Sequence, residues 1–331
     1  MMRQGARVDK RVDGRARRGQ SPAMITARLI CTDIAGLRNQ ALGLAEAAGF
    51  TPDLRTLRFL PPWDKIPTSL WLNPRWAVGA EVFAPPVPPV VMGCGGAGAR
   101  VAASLRGPGV KAVAIQHPRM GLHKFDAVLA GRHDGISGPN VIITRTALHR
   151  VTAARLAAEK QEWALFFAPY RRPLAAVLLG GSNGRYRFGV AEARVLAAQL
   201  AEVAREYGLV ITPSRRTGAD VLEILRAALE PLGAWIWDFT DKNPYFGMLA
   251  CADALIVTAD SVSMVSEAVA TSAPVYLARL PGRSARIGRF MDDLVQDGRV
   301  RDFAGKLELW DTAPLNDTEW AGAELHRLLG V

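Results

Sequence analysis

Several short stretches of this 331-residue chain place glycine, hydroxyl and charged side chains directly after apolar runs of strand length, where open parallel sheets meet their ligands. In one, Val177, Leu178 and Leu179 run into Gly180, Gly181, Ser182, Asn183 and Gly184, with Arg185 and Arg187 just beyond. Glycines let backbone N–H groups turn outward, and a helix expected from about residue 189 would add partial positive charge, so the loop is a candidate anion seat. An ordinary strand-to-helix turn would use the same glycines. In another, a strand ending at Thr258 is followed by Asp260, Ser261, Ser263 and Glu267. The two serines could bind a diphosphate or cap a helix, and a carboxylate one turn beyond Ser263 could accept hydrogen bonds from a ribose diol. Arg215 and Arg216, after an apolar run ending at Thr212, and Asn243, Pro244 and Tyr245 would complete the rim.

The earlier half of the chain offers acids and bases. Asp33 follows the first strand-like run and could be a general base or the N-cap of the next helix. His117, between Gln116 and Pro118-Arg119, is a second candidate base, and His133 and Asp134 follow the next strand, so both sets could face one cleft. Gly93, Gly95 and Gly98 satisfy G-x-G-x-x-G, but the ribose-binding acid expected about 20 residues on is replaced by Ile115, Gln116 and His117. None of the five tyrosines has a lysine four residues later. Both observations disfavour an NAD-dependent epimerase, and this loop reads instead as one that contacts acceptor or phosphate. No Walker lysine loop, D-x-D pair, H-E-x-x-H or G-x-S-x-G occurs, so NTPase, metal-dependent sugar transfer, zinc peptidase and serine hydrolase readings lack their usual markers, and neither metal nor cofactor is expected; the glycine- and serine-rich loops suit a nucleotide diphosphate or nucleotide sugar as substrate.

Behind these loops, strand-length apolar runs alternate with segments of helical period. Strands are expected at 26–32, 53–58, 90–93, 110–116, 126–130 and 140–144, and again at 174–180, 208–212, 234–238, 254–257 and 274–277. The pattern predicts an α/β protein of two domains with mostly parallel sheets, 24–168 and 169–331, joined through a helix at 151–167 and closed by an amphipathic helix at 317–329 that could pack on either. Residues 59–89, proline-rich and carrying Trp63, Trp71 and Trp76, break the alternation; a lid and a surface insertion pinned by its tryptophans both fit.

The net charge of +10 is concentrated. Residues 1–23 hold seven arginines and lysines against Asp9 and Asp13, half the excess, with too few apolar residues to fold, and read as a disordered tail that leaves Met24 as an alternative start. The remainder lacks an aromatic-basic stripe, so no nucleic acid is expected; contact of the tail with acidic lipid stays open. Three isolated cysteines and the lack of a long apolar run suit a cytoplasmic protein, peripheral to the inner face of the membrane at most.

Asp33, Gly36, the stretch 39–43, Gln116 to Arg119, the glycine loop 180–184, Thr212 to Gly218 and Asn243 to Glu267 together resemble the mitochondrial-fission Elm-type family, over about residues 26–315. The resemblance implies the GT-B architecture, two Rossmann-like halves facing across a cleft, with the donor nucleotide in the second half. It further implies that Gly181, Ser182, Ser261, Ser263 and Glu267 contact donor phosphates and ribose. The family commonly has Gly after the aspartate; here it is Ile34. Two functions follow as expectations. One is a metal-independent glycosyltransferase that uses Asp33 or His117 as base on an acceptor of unknown identity. The other is a non-catalytic adaptor that keeps the fold.

Overall fold

The computed structural model describes residues 25–331; the expectations for the basic stretch 1–23 and for Met24 lie outside them. The first half runs β1 (Thr26–Cys31), α1 (Ala35–Ala47), β2 (Thr51–Thr56), α2 (Pro74–Ala77), β3 (Val90–Cys94), α3 (Gly95–Leu105), β4 (Lys111–Ile115), β5 (Ala127–Gly131) and β6 (Val141–Thr144). After α4 (Ala153–Phe167) the second half runs β7 (Leu174–Leu179), α5 (Val190–Val203), β8 (Gly208–Pro213), α6 (Ala219–Leu229), β9 (Trp235–Ile236) and α7 (Tyr245–Cys251). It continues with β10 (Ala254–Thr258), α8 (Val262–Val269), β11 (Val275–Ala278), α9 (Ala285–Gln296), β12 (Val300–Asp302) and α10 (Thr318–Leu329). Two six-stranded parallel sheets result, ordered β2-β1-β3-β4-β5-β6 and β12-β11-β10-β7-β8-β9. The protein is α/β with two Rossmann-like sheets, and no helix among the described residues is long and apolar enough to cross a membrane.

Central strands such as β7 and β10 are buried at every residue, which is why they read as unbroken apolar runs. Strand order reverses between β1 and β3 in the first sheet and between β7 and β10 in the second. At such a point neighbouring connections leave in opposite directions and open a crevice at the carboxyl edge. The loops singled out after β1, β7 and β10 therefore lie at the two places where these sheets can hold a ligand.

Two helices cross the expected boundary. Trp163 and Phe167 of α4 pack in the second-half core, and a Cβ on Gly247 of α7 would meet the Trp163 ring at 2.3 Å. Helix α10 returns to the first half, where Ala321, Leu325 and Leu329 join its core. A Cβ on Gly322 would lie 2.6 Å from the Ala47 backbone, so only glycine admits this helix so close to α1. Burial of the two leucines stabilises the return by about 2 kcal/mol each. The crossing segments are joined by Arg145 on Asp317 (2.6 Å), the His149 amide on Thr318 Oγ1 (3.2 Å) and Asn316 Nδ2 on the Val151 carbonyl (3.1 Å).

The excursion at 59–89 is pinned by a charge in the core. Arg28 of β1 is 1% exposed, pairs with Asp53 of β2 at 2.9 Å and donates to the carbonyls of Val82, Ala84 and Pro86. Burying a guanidinium is tolerable only when its donors are used. Here they satisfy carbonyls that a proline-rich segment cannot pair in a ladder. Trp71 is buried against Phe59, whereas Trp76 is exposed, so the tryptophans pin only part of the insertion.

Candidate functional site: the cleft between the sheets

A cleft of about 1270 Å³ opens between the two carboxyl edges. Its second-half wall includes Asn183, Gly184, Arg185, Ser214, Arg215, Arg216, Trp237, Phe239, Asn243, Tyr245, Ser261, Ser263 and Glu267. Its first-half wall includes Asp33, Ile34, Gly36, Asn39, Gln40, Gln116, His133, Asp134 and Thr146. Of the candidate residues, Asp33, Asn183, Gly184, Arg185, Arg215, Ser261, Ser263 and Glu267 line it, whereas Gly180, Gly181, Ser182 and His117 do not.

The glycine loop does structural work that its composition disguises. Asp260, its side chain fully buried, sits directly beneath it: a Cβ on Gly180 would lie 2.2 Å from Asp260 Oδ1, and one on Gly181 2.1 Å from the Arg216 carbonyl. The Gly180 amide donates to Thr258 Oγ1, the Gly181 amide to Asp260 Oδ2, and Ser214 and Thr217 donate to the Gly180 carbonyl. Arg216 closes the hub on Asp260 at 2.8 Å and on the Gly181 carbonyl at 3.1 Å. The Ser182 hydroxyl is spent on Phe188. Helix α5 begins only at Val190, and Glu192 accepts from the Gly189 amide at its start. The loop thus interlocks three strand ends, and the helix terminus expected behind Gly184 lies outside the cleft, with Glu192 held to the Gly189 amide.

Helix starts that line the cleft include those of α1, at Ala35 and Gly36, and of α8, which lies on the second-half wall. Ser261 caps it, accepting from the Met264 amide at 3.4 Å, so the capping alternative holds for this hydroxyl. The amides of Val262 and Ser263, at the first two helical positions, have no carbonyl within the helix to bond and carry its positive end. Arg185 and Arg215 share the wall, and among the described residues neither meets a carboxylate, whereas Arg187 and Arg216 are paired with Glu192 and Asp260. Two unpaired guanidiniums and a helix N-terminus can hold a diphosphate.

Glu267, 3% exposed, is engaged on both oxygens: Tyr245 donates its hydroxyl to one and Asn39 of α1 its amide to the other, at 3.3 Å. Burial pushes the Glu267 carboxyl above the usual carboxylate range, and the Tyr245 hydroxyl well above its own ordinary value. Gln40 donates to Ser263 Oγ at 3.2 Å and accepts from Gln116, whose φ of 74° is unusual for a side-chain-bearing residue. Gly36 lies so close to Ser263 that a Cβ would approach its Oγ to 2.8 Å. Opposite, Arg286 of α9 pairs with Asp134 at 3.0 Å and Arg289 donates to the His133 carbonyl. Both rims of the cleft are therefore bridged, and all of the bridging groups except Arg289 also line it.

On the first-half wall, Asp33 is exposed, 3.7 Å from Arg38, and Ile34 rather than Asp33 occupies the cap position of α1. His117 turns away: its Nδ1 accepts from the Arg119 amide at 2.9 Å and holds a turn outside the cleft. The imidazole that lines the cleft is His133, packed edge-on to Phe290 and pushed below its ordinary value by burial. The glycines at 93–98 lie outside the cleft; a Cβ on Gly98 would meet the Ile30 carbonyl at 2.3 Å, so glycine there lets α3 press on the sheet. Trp237, Phe239, Arg155 and Arg286 line the wall without having stood out in the sequence. Only the positive φ of Phe239 and the stacking of Arg155 on Phe246, both properties of the folded chain, mark them.

A family profile described as Mitochondrial fission ELM1 matches residues 35–329. The mitochondrial fission protein ELM1 of Arabidopsis thaliana is 34% identical over 275 residues, 74% of this chain and 64% of that protein, so the chain spans less than two thirds of its plant relative. Among solved structures, the UDP-GlcNAc 2-epimerase of Methanocaldococcus jannaschii superimposes with a TM-score of 0.57 at 13% identity, covering 92% of this chain and 99% of the enzyme. The glycotransferase of kitacinnamycin does so with 0.51 at 11%, covering 93% and 95%. At these identities the likeness is one of fold, the GT-B arrangement.

Proposed function

The chain belongs to the mitochondrial fission ELM1 family and has a GT-B-like fold, and from that premise we propose that its cleft binds a nucleoside diphosphate sugar and transfers the sugar to an acceptor hydroxyl. The observation that carries the reading is the N-terminus of α8 on the same wall as Arg185 and Arg215, two arginines that among the described residues pair with no carboxylate. The archaeal epimerase has also been solved with UDP-GlcNAc and UDP, which supports a uridine nucleotide as the first ligand to try.

In the transfer, the acceptor oxygen forms a bond to the anomeric carbon as the bond from that carbon to the diphosphate oxygen breaks, and the diphosphate leaves with the electron pair. The Val262 and Ser263 amides and the two arginines stabilise the charge that develops there. The acceptor proton goes to a group on the first-half wall. His133 takes that role in place of His117, because it lines the cleft and burial keeps it neutral near pH 7. Asp33 is a second acceptor of the proton, exposed at the same mouth. A nucleotide ribose would take the Glu267 oxygen now held by Asn39, coupling ligand binding to the contact between α1 and α8.

That same contact favours a second reading. A glutamate satisfied on both oxygens by its own chain suits an adaptor that keeps the fold and has given up the ligand. A thermal-shift screen of the full chain against nucleoside diphosphates and their sugar conjugates separates the two, since a ligand that binds only the folded state raises Tm. The proposal expects a rise with one nucleotide, lost in Arg215→Ala, and release of that nucleotide from its sugar conjugate by the wild type but not by His133→Asn. No rise with any nucleotide at millimolar concentration leaves the adaptor.

A further inference from the structure

A group of exposed apolar side chains lies outside the cleft, on the excursion that Arg28 pins. Leu70, Leu72 and Trp76 are 65%, 85% and 57% exposed, within seven residues of one another. Single exposed leucines are ordinary on a protein surface, but three large ones on one short segment call for a partner. The segment is built to hold them out. Trp71, between the two leucines, is buried while both of them are exposed. Trp71 Nε1 donates to the Ile66 carbonyl, and Arg100 of α3 donates to the carbonyls of Ser69 and Trp71. Asn73 caps α2 by accepting from the Arg75 amide, which fixes the turn carrying Trp76.

The charge of the segment is one-sided. Residues 65–76 carry Lys65 and Arg75, both exposed, the latter over the Phe83 ring, and no carboxylate, with exposed Asp64 just before them. Arg58 flanks them with three quarters of its side chain exposed, its pairing with Glu81 a loose 3.8 Å. Exposed leucines and an indole between basic side chains suit the boundary of an anionic bilayer, where apolar groups enter the acyl edge, indole prefers the headgroup level and lysine or arginine meets lipid phosphate.

We propose that residues 65–76 form a docking surface for anionic lipid membranes, inserting Leu70, Leu72 and Trp76 and pairing Lys65 and Arg75 with headgroups. Thr68 packs at the start of α3, against Gly96, so the surface lies at the carboxyl edge of the first sheet, the edge that opens on the cleft. The inference does not rest on sugar transfer and holds whether or not the cleft binds a nucleotide.

The test is co-sedimentation of the full chain with vesicles of phosphatidylcholine containing phosphatidylglycerol, beside vesicles of phosphatidylcholine alone. The expected result is binding to the anionic vesicles, weakened by salt. Lys65→Glu and Arg75→Glu should each weaken it roughly fivefold, and the triple variant Leu70→Ser, Leu72→Ser, Trp76→Ser by about tenfold or more. Because these side chains are exposed, Tm should stay within about 2 °C of wild type. Absence of binding by the wild type overturns the proposal. So does binding that the variants leave unchanged, which assigns attachment to the basic residues 1–23. A patch that instead joins two copies would show as a dimer in size-exclusion chromatography, abolished by the triple variant, with no vesicle binding.

Discussion

The carboxyl edges of the two sheets face each other across one cleft, yet they are built on opposite principles. In the second half, the loops after β7, β8 and β10 are locked around buried Asp260, with the polar groups of 180–182 and 214–217 turned on each other. In the first half, Asn39, Gln40 and Asp134 are held by groups of the second, while Asp33 stands exposed and the buried hydroxyl of Thr146 has no partner among the described residues. A preorganised wall suits a ligand whose phosphates are always the same, and an open wall suits an acceptor whose hydroxyl must be received. The contrast also separates two uses of glycine. At 180 and 181 it makes room for other parts of the chain, whereas at 184 nothing lies within 4 Å of a Cβ, and the residue faces the cleft.

The largest effect that would break this comparison comes from the locked side. Gly181→Ala drives a methyl into the Arg216 backbone and should cost about 3 kcal/mol in urea unfolding, whereas Gly184→Ala should stay within about 0.5 kcal/mol. Equal small effects would mean that the hub is not locked. A comparable change is expected at the junction of the halves, where buried His149 has its ring pushed down to about 4 by burial. Its folded value lies below that of the unfolded chain, so its contribution is complete above about pH 6.5 and is lost as pH falls toward 4, about 3 kcal/mol in all. Unfolding of wild type and His149→Leu at pH 7 and pH 4.5 should show a pH slope reduced in the variant. The smallest change in stability and the clearest in binding belongs to Arg215→Ala: Tm within about 1 °C, and nucleoside diphosphate affinity about tenfold lower by calorimetry.

The strands, their parallel sense and the position of the crevices were legible because period and burial leave a local record. Strand β12 was not, since Val300, Arg301 and Asp302 have one buried side chain among three and pair only through the backbone with β11. Of the residues singled out, Ser263 and Arg215 line the cleft, whereas the fold uses others elsewhere. Gly180 and Gly181 fit a phosphate loop and an ordinary turn equally in one dimension, because a glycine that could admit a ligand looks like one that makes room for Asp260 or the Arg216 backbone. His117 and His133 both follow strands; which one faces the cleft was settled by the turn in which the Arg119 amide donates to His117. Helix α10 showed an amphipathic face but not which half it covers, a choice made by Gly322 against Ala47.

The central claim is that the anion seat is the N-terminus of α8 and not the glycine loop. A crystal structure of the full chain soaked with a nucleoside diphosphate tests it most directly. The account predicts the diphosphate within hydrogen-bonding distance of the Val262 and Ser263 amides, with Arg185 or Arg215 closing on it and the hub around Asp260 unmoved. A diphosphate cradled by the amides of 180–182, with Asp260 displaced, would contradict it.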